Sequence, residues 1–566
     1  MAFDTSRLVG SPEDLRKLIA QETQRHRRVI DDTTYAISRL QALHNSLAPV
    51  NALPAELLGL IFAQLLSQGD LIPKAPRHFS RRLQVDPPRG SRDILGAAAV
   101  CRYWRAVIIQ NPWLWVSFPI HDRIGVKEFL ARSKDLLVSL SLTRRFPSGE
   151  APVLAPSAHR IRSLYISTDL ADDIELLTAE LSCPAPNLQE LFVEYLPRIS
   201  SVTGRIDLAT RLPSMFNGEA PALRVLTYRG VPSPCKVMPS SLLYLQIGMV
   251  QDALPPVPAL LRMLSNLPLL ETLKIHGFWE FEEIAQHAVV HNDIALPKLG
   301  AIDLNLEPQE APGILLSSLA LPAHTDVSIT SILEEGCSVA NVLETVAPTL
   351  APLCFSGFRG LQLFRDGYWR VQAYRVPDAF FDPPALEILC ADVWGDAHSP
   401  WPGFLVDWPF DVSQIETLVL SHKQETYHPI GGGEPVQMDR TFDRWGNTFR
   451  ELPALKTLRV MGTPTSELET LLDALLERTS DSADKVCPNL SSLEIFDVQF
   501  SNKAGALLLN VAASRAPVGT RVSTLERVEL FNSKPCGVGL SLCHKIIPFG
   551  VELVIDEEIM STVAPD

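Results

Sequence analysis

The chain has 566 residues, of which 46% are hydrophobic and 20% are charged, so it contains enough apolar material for more than one core. Its formal net charge of −15 argues against nucleic acid as the main partner, because binding to phosphates requires clustered positive charge. No apolar run is long enough to span a membrane, and the N-terminus lacks an apolar signal region. We therefore expect a cytoplasmic or nuclear protein with no membrane partner.

A long helix is the first predicted element. Ser11 is a good helix cap and Pro12 suits the first turn, and the helical pattern then continues to about Leu47 without an internal Gly or Pro. A heptad reading gives one seam that is largely aliphatic but also contains Glu22, His26 and Thr33. That seam is too polar for a strong coiled coil. The helix is expected to pack on its own domain; weak self-association through residues 12–47 is the alternative.

Two strongly apolar helices are predicted next. "LPAELLGLIFAQLL" begins at Leu53, with Pro54 in the first turn and Glu56 near the positive end of the helix dipole. "ILGAAAVCRYWRAVIIQ" predicts a single second helix that ends at Asn111-Pro112. One apolar face of this second helix is formed by Ala97, Val100, Cys101, Trp104, Val107 and Ile108. These side chains either fill a private core or form a docking surface for a partner.

Residues 67–93 separate the two apolar helices. The segment is rich in proline and arginine, a composition typical of a solvated loop, and we expect a disordered excursion there. Because the entropy of loop closure rises slowly with length, such an insertion need not prevent the flanking helices from packing together.

From about residue 160 a short strand pattern recurs, in the form apolar-x-x-apolar-x-apolar. Copies begin at residues 161, 188, 223, 242, 270, 299, 386, 415, 455, 490 and 525. Helical stretches at 253–266, 466–479 and 503–514 alternate with them. Strands and helices that alternate at an approximately regular interval along the chain predict a stacked α/β solenoid with irregular spacing. Only weak strand candidates, such as "FRGLQLF" at 358, occur between 305 and 385.

The apolar helices resemble the F-box, whose pattern is roughly Leu-Pro-x-Glu-Leu-x-x-x-Ile-Phe, then Val-Cys-x-x-Trp-Arg, then Leu-Trp. The residues that match this pattern in order are Leu53, Pro54, Glu56, Leu57, Ile61, Phe62, Val100, Cys101, Trp104, Arg105, Leu114 and Trp115. With the preceding helix and the irregular leucine-rich repeats, the chain resembles the F-box families expanded in fungi. The insertion at 67–93 departs from that pattern, in which a short link joins the helices.

This resemblance implies a substrate-receptor subunit of a Skp–cullin–F-box E3 ubiquitin ligase. The F-box helices of that family dock on the Skp adaptor, and through it on cullin, while the repeats bind a protein target that is unknown here. The adaptor-binding residues implied by the match are Leu53, Pro54, Glu56, Leu57, Ile61, Phe62, Val100, Cys101, Trp104, Leu114 and Trp115. If the target is phosphorylated, the arginines on strand faces are the candidates to bind it: Arg162, Arg224, Arg459 and Arg527.

No catalytic motif is recognisable, so we expect neither enzymatic activity nor a cofactor in this chain. P-loop, dinucleotide-binding, serine-hydrolase and zinc-protease patterns are all missing from the sequence. The pair His287 and His291 lacks further ligands, and Cys536, Cys543 and His544 lack a fourth, so no metal site is predicted. Nine scattered cysteines form no Cys-x-x-Cys pair. Those in apolar segments predict buried, reduced thiols: Cys101, Cys183, Cys235, Cys390 and Cys487.

The predicted chain is of mixed α+β and α/β class: an N-terminal helix, a small all-α F-box module, and an irregular leucine-rich-repeat solenoid. Its segments are the helix 1–48, the F-box 49–119, a linker 120–159, the solenoid 160–556 and a tail 557–566. Two other classes of function stay open. One is a non-ligase scaffold that binds an adaptor for assembly alone, and the other is an enzyme hidden in the insertions at 305–385 or 421–450.

Overall fold

The computed structural model describes residues 11–67, 89–119, 123–142, 154–195, 215–230, 238–248, 254–279, 294–333, 342, 345–346, 357–365, 368–377, 379–380, 384–392, 412–422, 445–477, 486–516, 524–532, 544–555 and 558–560. Contacts divide the chain into two units. The first comprises Met1–Phe192, Pro197–Ser200 and Arg211–Ala220, and the second comprises Val193–Leu196, Ser201–Thr210 and Pro221–Asp566. The fold is mixed α/β, with an N-terminal helix and a large, mostly parallel sheet.

Helix α1 (Pro12–Ser46) confirms the predicted N-terminal helix. The Ser11 hydroxyl accepts a hydrogen bond from the backbone N–H of Asp14 at 3.3 Å, which satisfies one of the free donors of the first turn. None of its residues is buried. Among the described residues α1 therefore forms no buried core with its own domain, although Ser38 accepts a hydrogen bond from Arg102.

Three shorter helices follow: α2 (Ala55–Ser67), α3 (Arg89–Val100) and α4 (Arg102–Gln110). The predicted single second helix is wrong, because Cys101 adopts an extended conformation (φ −154°, ψ 167°) between α3 and α4. Its Sγ accepts a hydrogen bond from the backbone N–H of Trp104 at 3.4 Å, so Cys101 caps α4. Since α2 ends at Ser67 and α3 begins at Arg89, helix extends into both ends of the predicted excursion 67–93. The rest of that excursion lies outside the described residues.

The remainder of the first unit combines helices with short parallel strands. Its elements are β1 (Ser117–Pro119), α5 (Arg123–Arg132), β2 (Val138–Leu142), β3 (Ile161–Thr168) and α6 (Ala171–Glu180). The next strand, β4 (Glu190–Tyr195), begins in the first unit and ends in residues assigned to the second. Strand β2 pairs in parallel with both β1 and β3. The segment 120–159, which the sequence assigns to a linker, thus contains a helix and a core strand.

The second unit is built on a parallel sheet whose strands follow one another in space largely as they do in sequence. The strands of the second unit are β5 (Val225–Arg229), β6 (Tyr244–Gly248), β7 (Thr272–Phe278), β8 (Ile294–Ala295), β9 (Ala301–Glu307), β10 (Leu319–Ala320), β11 (Asp326–Leu333), β12 (Gly360–Arg365), β13 (Tyr368–Tyr374), β14 (Leu386–Asp392), β15 (Thr417–His422), β16 (Thr457–Met461), β17 (Ser492–Phe496), β18 (Arg527–Phe531), β19 (Glu552–Ile555) and β20 (Glu558–Met560). Strands β8 and β10 pair with each other in a separate two-stranded sheet. Parallel pairing runs through β5, β6, β7, β9 and β11, and again from β15 to β19.

An antiparallel hairpin interrupts this parallel order. Strand β11 pairs in parallel with β14, β14 pairs antiparallel with β13, and β13 pairs antiparallel with β12, which joins β15 in parallel. The region 305–385, in which the sequence shows only weak strand candidates, therefore supplies three strands of the large sheet, β11, β12 and β13. The six-residue motif is not repeated there, because β12 and β13 are joined to each other by a hairpin and not by the turn that precedes a motif strand.

The recurring motif forms a strand wherever it was predicted. In β16, Leu455 is buried in the turn before the strand, and Leu458 and Val460 are buried within it. The ladder aligns Leu458 with Leu418 on one side and Leu493 on the other, so each motif adds one layer to a continuous apolar core. The helices α7 (Val257–Leu264), α8 (Ala311–Ser317), α9 (Trp445–Arg450), α10 (Thr465–Ala474) and α11 (Asn502–Arg515) lie between strands in sequence. Of these, α7, α10 and α11 confirm the three predicted helical stretches.

The cysteines are only partly as expected. Cys390 and Cys487 are buried, and burial raises the pKa of each thiol to about 12. Cys101 is half-buried and Cys183 is exposed, so the prediction of burial is wrong for Cys183. Cys235 lies outside the described residues. Within the ranges described, no helix has both the length and the apolar content needed to cross a membrane.

Candidate functional site

Helices α2, α3 and α4 and the 3₁₀ turn Pro112–Trp115 form what we call the helical cluster. Its core consists of Leu58, Phe62, Ile94, Ala97, Val107, Ile108, Leu114 and Trp115. The indole N–H of Trp115 donates to the carbonyl of Ile108 at 2.8 Å, which satisfies the one polar atom of this buried ring. These residues explain part of the apolar content of the segment as a private core.

Trp104 joins the start of α2 to α4. Its ring packs edge-on against Phe62, with the centroids 5.1 Å apart, and its indole N–H donates to the side-chain oxygen of Asn51 at 2.6 Å. The neighbouring Tyr103 hydroxyl donates to the backbone carbonyl of Leu53 at 3.0 Å. Residues of α4 therefore fix the position at which α2 begins.

Helix α2 is apolar around more than half of its circumference. Leu58 and Phe62 point into the core, whereas Leu57, Leu60 and Ile61 are 47%, 59% and 48% exposed. At about 100° per residue, these three exposed residues form a second stripe, an arc of roughly 100° beside the buried one. A helix with a single buried face needs only one apolar stripe, so the second stripe is not explained by the folding of the cluster.

The predicted adaptor-binding residues divide into three groups. Pro54, Glu56, Leu57, Ile61 and Val100 are exposed. Leu53, Cys101 and Trp104 are half-buried, and Phe62, Leu114 and Trp115 are buried in the core. The first group is therefore accessible at the surface, while the buried group holds the helices in place.

Three exposed apolar residues of the cluster were not singled out from the sequence: Leu60, Leu95 and Ile109. The spacing of Leu60 three residues after Leu57 is the signal that could have identified it, because residues i and i+3 share a helical face. Leu95 lies beside the buried Ile94 in sequence, and no pattern within α3 tells which of the two faces outward. Ile109 follows Ile108, which the spacing places on the apolar face.

Arginines on the outside of α4 connect the cluster to its surroundings. The Arg105 guanidinium donates to the carbonyl of Ala98 at 3.0 Å, near the C-terminal end of α3, where backbone carbonyls lack helical partners. Arg102 donates to the hydroxyl of Ser38 in α1 at 2.7 Å. Arg105, which also matches the F-box pattern, thus stabilises the break between α3 and α4.

A second candidate surface is the polar face of the sheet in the second unit. Arg459 pairs with Glu494 at 2.6 Å and Arg527 with Glu529 at 2.5 Å. The rings of Phe496 and Phe531 stack beside them, with centroids 4.9 Å apart. The charges of Arg459 and Arg527 are thus neutralised within the sheet, which weakens the case for these two residues as a phosphate-binding site.

Further along the same face, Asp303 lies between two basic groups. Its carboxylate is 3.4 Å from Lys274 Nζ and 3.7 Å from His276 Nε2. Burial alone would raise the pKa of Asp303, but the nearby His276 and Lys274 outweigh burial and lower it. Burial and this carboxylate raise the pKa of nearby Tyr244 to about 12. Asp303 is therefore charged at neutral pH and holds adjacent strands together.

The described residues contain no group of three or more His, Cys, Asp or Glu side chains that could hold a metal ion. His287, His291, Cys536, Cys543 and the side chain of His544 lie outside the described part of the chain. The thiols of Cys390 and Cys487 are protonated at neutral pH because of burial, which is the opposite of what a thiolate nucleophile needs.

Comparison with known proteins adds little to this geometry. No protein-family model matches the chain, and no curated protein matches it. A crystal structure of a Bacteroides fragilis protein is similar over 74% of this chain and 74% of its own, at 11% sequence identity and a TM-score of 0.18. A likeness that weak carries no argument, so the binding properties of the helical cluster must be inferred from its own side chains.

Proposed function

We propose that this chain is a substrate-receptor subunit of a Skp–cullin–F-box ubiquitin ligase. The helical cluster binds a Skp-type adaptor and, through it, cullin. The sheet of the second unit belongs to an irregular leucine-rich-repeat solenoid that binds the protein to be ubiquitinated. The chain itself is non-catalytic and acts in the cytoplasm or nucleus, raising the effective concentration of a target lysine near the transfer machinery.

The observation that carries the proposal is the second apolar face of α2. Leu57 and Ile61 match the F-box pattern, and with Leu60 they expose a contiguous aliphatic stripe on a helix whose other face already forms a core. Aliphatic side chains in this arrangement suit the desolvated centre of a protein–protein interface. Their exposure in the isolated chain is a cost in water that a partner would remove.

The test is co-purification of the tagged full-length chain with the Skp adaptor and cullin. A Leu57→Glu, Ile61→Glu variant places two charges on the stripe without touching the core. Its matched control is Leu136→Glu, Leu176→Glu, in which two leucines of similar exposure (42% and 38%) lie elsewhere in the first unit. Circular dichroism checks that both variants keep their helices.

The proposal predicts that wild type and control retain adaptor and cullin, and that the α2 variant loses both, with adaptor affinity lowered at least about 100-fold. Retention of adaptor without cullin by wild type would favour a non-ligase scaffold instead. Failure of wild type to bind the adaptor, or equal binding by the folded α2 variant, would contradict docking through this face.

A further inference from the structure

Helix α1 carries an exposed apolar stripe along its C-terminal half. Val29, Ile30, Ile37, Leu40, Leu43 and Leu47 are each between 50% and 77% exposed. With Thr33 and Ala36 they follow the alternating three- and four-residue spacing that keeps side chains on one side of a helix. At about 100° per residue the stripe occupies an arc of roughly 140°. A stripe of that width normally faces a core, yet α1 buries none of its residues.

The contact that α1 makes with the helical cluster leaves this stripe free. Ser38 accepts the hydrogen bond from Arg102 of α4 at 2.7 Å. Ser38 lies about 160° around the helix from Leu40, so the contact is on the opposite side. The aliphatic side chains therefore face away from the helices that follow α1.

We propose that α1 pairs with α1 of a second copy of this chain, as an antiparallel two-helix coiled coil. Two such stripes together bury on the order of 1,000 Å², which is at the lower end for a specific complex and fits a dimer of micromolar affinity. A stripe that matches itself under a two-fold axis needs no other partner.

Charged residues beside the stripe favour the antiparallel orientation over the parallel one. Asp32 and Arg39 are seven residues apart and lie on the same flank of the stripe. In an antiparallel pair centred between residues 34 and 35, Asp32 and Arg39 of the second copy lie on the same side of the interface, offset by only about 3 Å along the axis, and the two-fold axis repeats this pair. In a parallel pair the same flank faces Ile30, Ile37 and His44, which offer no carboxylate.

The polar seam residues lead to the same orientation. Glu22 and His26 interrupt the seam between Ile19 and Val29 in the N-terminal half of α1. An in-register parallel pair sets Glu22 against Glu22 of the second copy, and like charges held together at an interface are unfavourable. The antiparallel pair sets Glu22 and His26 against Leu47 and Leu43 of the second copy, which can pack on their aliphatic and ring surfaces.

The test is sedimentation velocity of the full-length chain from about 1 to about 100 μM, a range that brackets micromolar association. The variant Leu40→Gln, Leu43→Gln removes the centre of the stripe with a residue that favours helix. Tyr35→Gln is the matched control, because Tyr35 and Leu43 are both 63% exposed but Tyr35 lies about 140° around the helix from Leu40. Circular dichroism verifies that α1 stays helical in each protein.

We expect wild type and Tyr35→Gln to dimerise and the double glutamine variant to be monomeric. Asp32→Arg should weaken the dimer about tenfold, and Asp32→Arg, Arg39→Asp should restore it. A monomeric wild type, or dimerisation of the double glutamine variant, would overturn pairing through α1. If the double glutamine variant is monomeric but Asp32→Arg dimerises as wild type does, the antiparallel orientation would be overturned.

Discussion

At the scale of single residues, exposure separates side chains of the same type into different roles. Leu57 and Leu58 are adjacent in α2, yet Leu58 fills the core of the helical cluster while Leu57 lies on its surface. Trp104 and Trp115 both match the F-box pattern, but Trp115 is buried and Trp104 is a half-buried support that bonds to Asn51. A binding experiment on this cluster must therefore change exposed side chains, since changing buried ones unfolds it.

The carboxylate of Asp303 makes the free energy of unfolding depend on pH. Because its pKa is lower in the folded chain than the ordinary value of about 3.9, the stability it provides is present above that value and is lost as pH falls through the folded pKa. Asp303→Asn should lower the free energy of unfolding by about 1 kcal/mol at pH 7, and this difference should shrink as the pH falls below the ordinary value of about 3.9. Urea denaturation of both proteins at pH 7 and at one pH below that value measures it.

The control is Asp326→Asn, whose carboxylate pairs with Arg375 at 2.8 Å but whose side chain is 44% exposed. Ion pairs at such positions contribute little, so we expect a smaller change there. A difference for Asp303→Asn that is the same at both pH values would contradict the role given to its charge.

At the scale of elements, caps decide where helices begin. Ser11 is a typical cap and its helix starts where the sequence predicts. Cys101 is an unusual one, and the helix boundary it creates was missed because neither Gly nor Pro marks it. The extended conformation of Cys101 turns Val100 to the surface, although the pattern had placed Val100 on the apolar face of one continuous helix.

Improving this cap should stabilise the helical cluster. Cys101→Ser supplies a better hydrogen-bond acceptor for the N–H of Trp104 and should raise the free energy of unfolding by about 0.5–1 kcal/mol. Cys101→Ala removes the acceptor and should lower it. Urea denaturation followed by the tryptophan fluorescence of the cluster reports both changes. Cys183→Ser, at an exposed position, is the control and should change nothing; equal midpoints for the serine and alanine variants at 101 would show that the cap is unimportant.

At the scale of the whole molecule, the sheet of the second unit grows by repetition. Each motif strand packs mainly on the strands beside it, as Leu458 does between Leu418 and Leu493. Stability in such an array is set by each layer and its neighbours, so damage at one end should remain local.

Leu493→Ala tests this. The side chain is fully buried in β17, and its loss should cost about 2–5 kcal/mol. Measured by mass spectrometry, the increase in hydrogen exchange over wild type should be larger in β16, β17 and β18 than in β5, β6 and β7. Leu245→Ala, at the same motif position in β6, should reverse that pattern. Uniformly faster exchange across all strands in both variants would mean that the sheet unfolds as one cooperative block.

The sequence by itself determined the elements whose signals are local. The motif strands, the helices of the second unit, the N-terminal helix and the apolar segments of the cluster follow from periodicity, turn residues and caps, which act within a few residues. Only the tertiary structure decided the rest: the break at Cys101, the hairpin β12–β13, and which of Leu57 and Leu58, or of Leu95 and Ile94, faces outward. These depend on contacts between residues far apart in the chain, and periodicity in one segment contains no information about which of its faces another segment will cover.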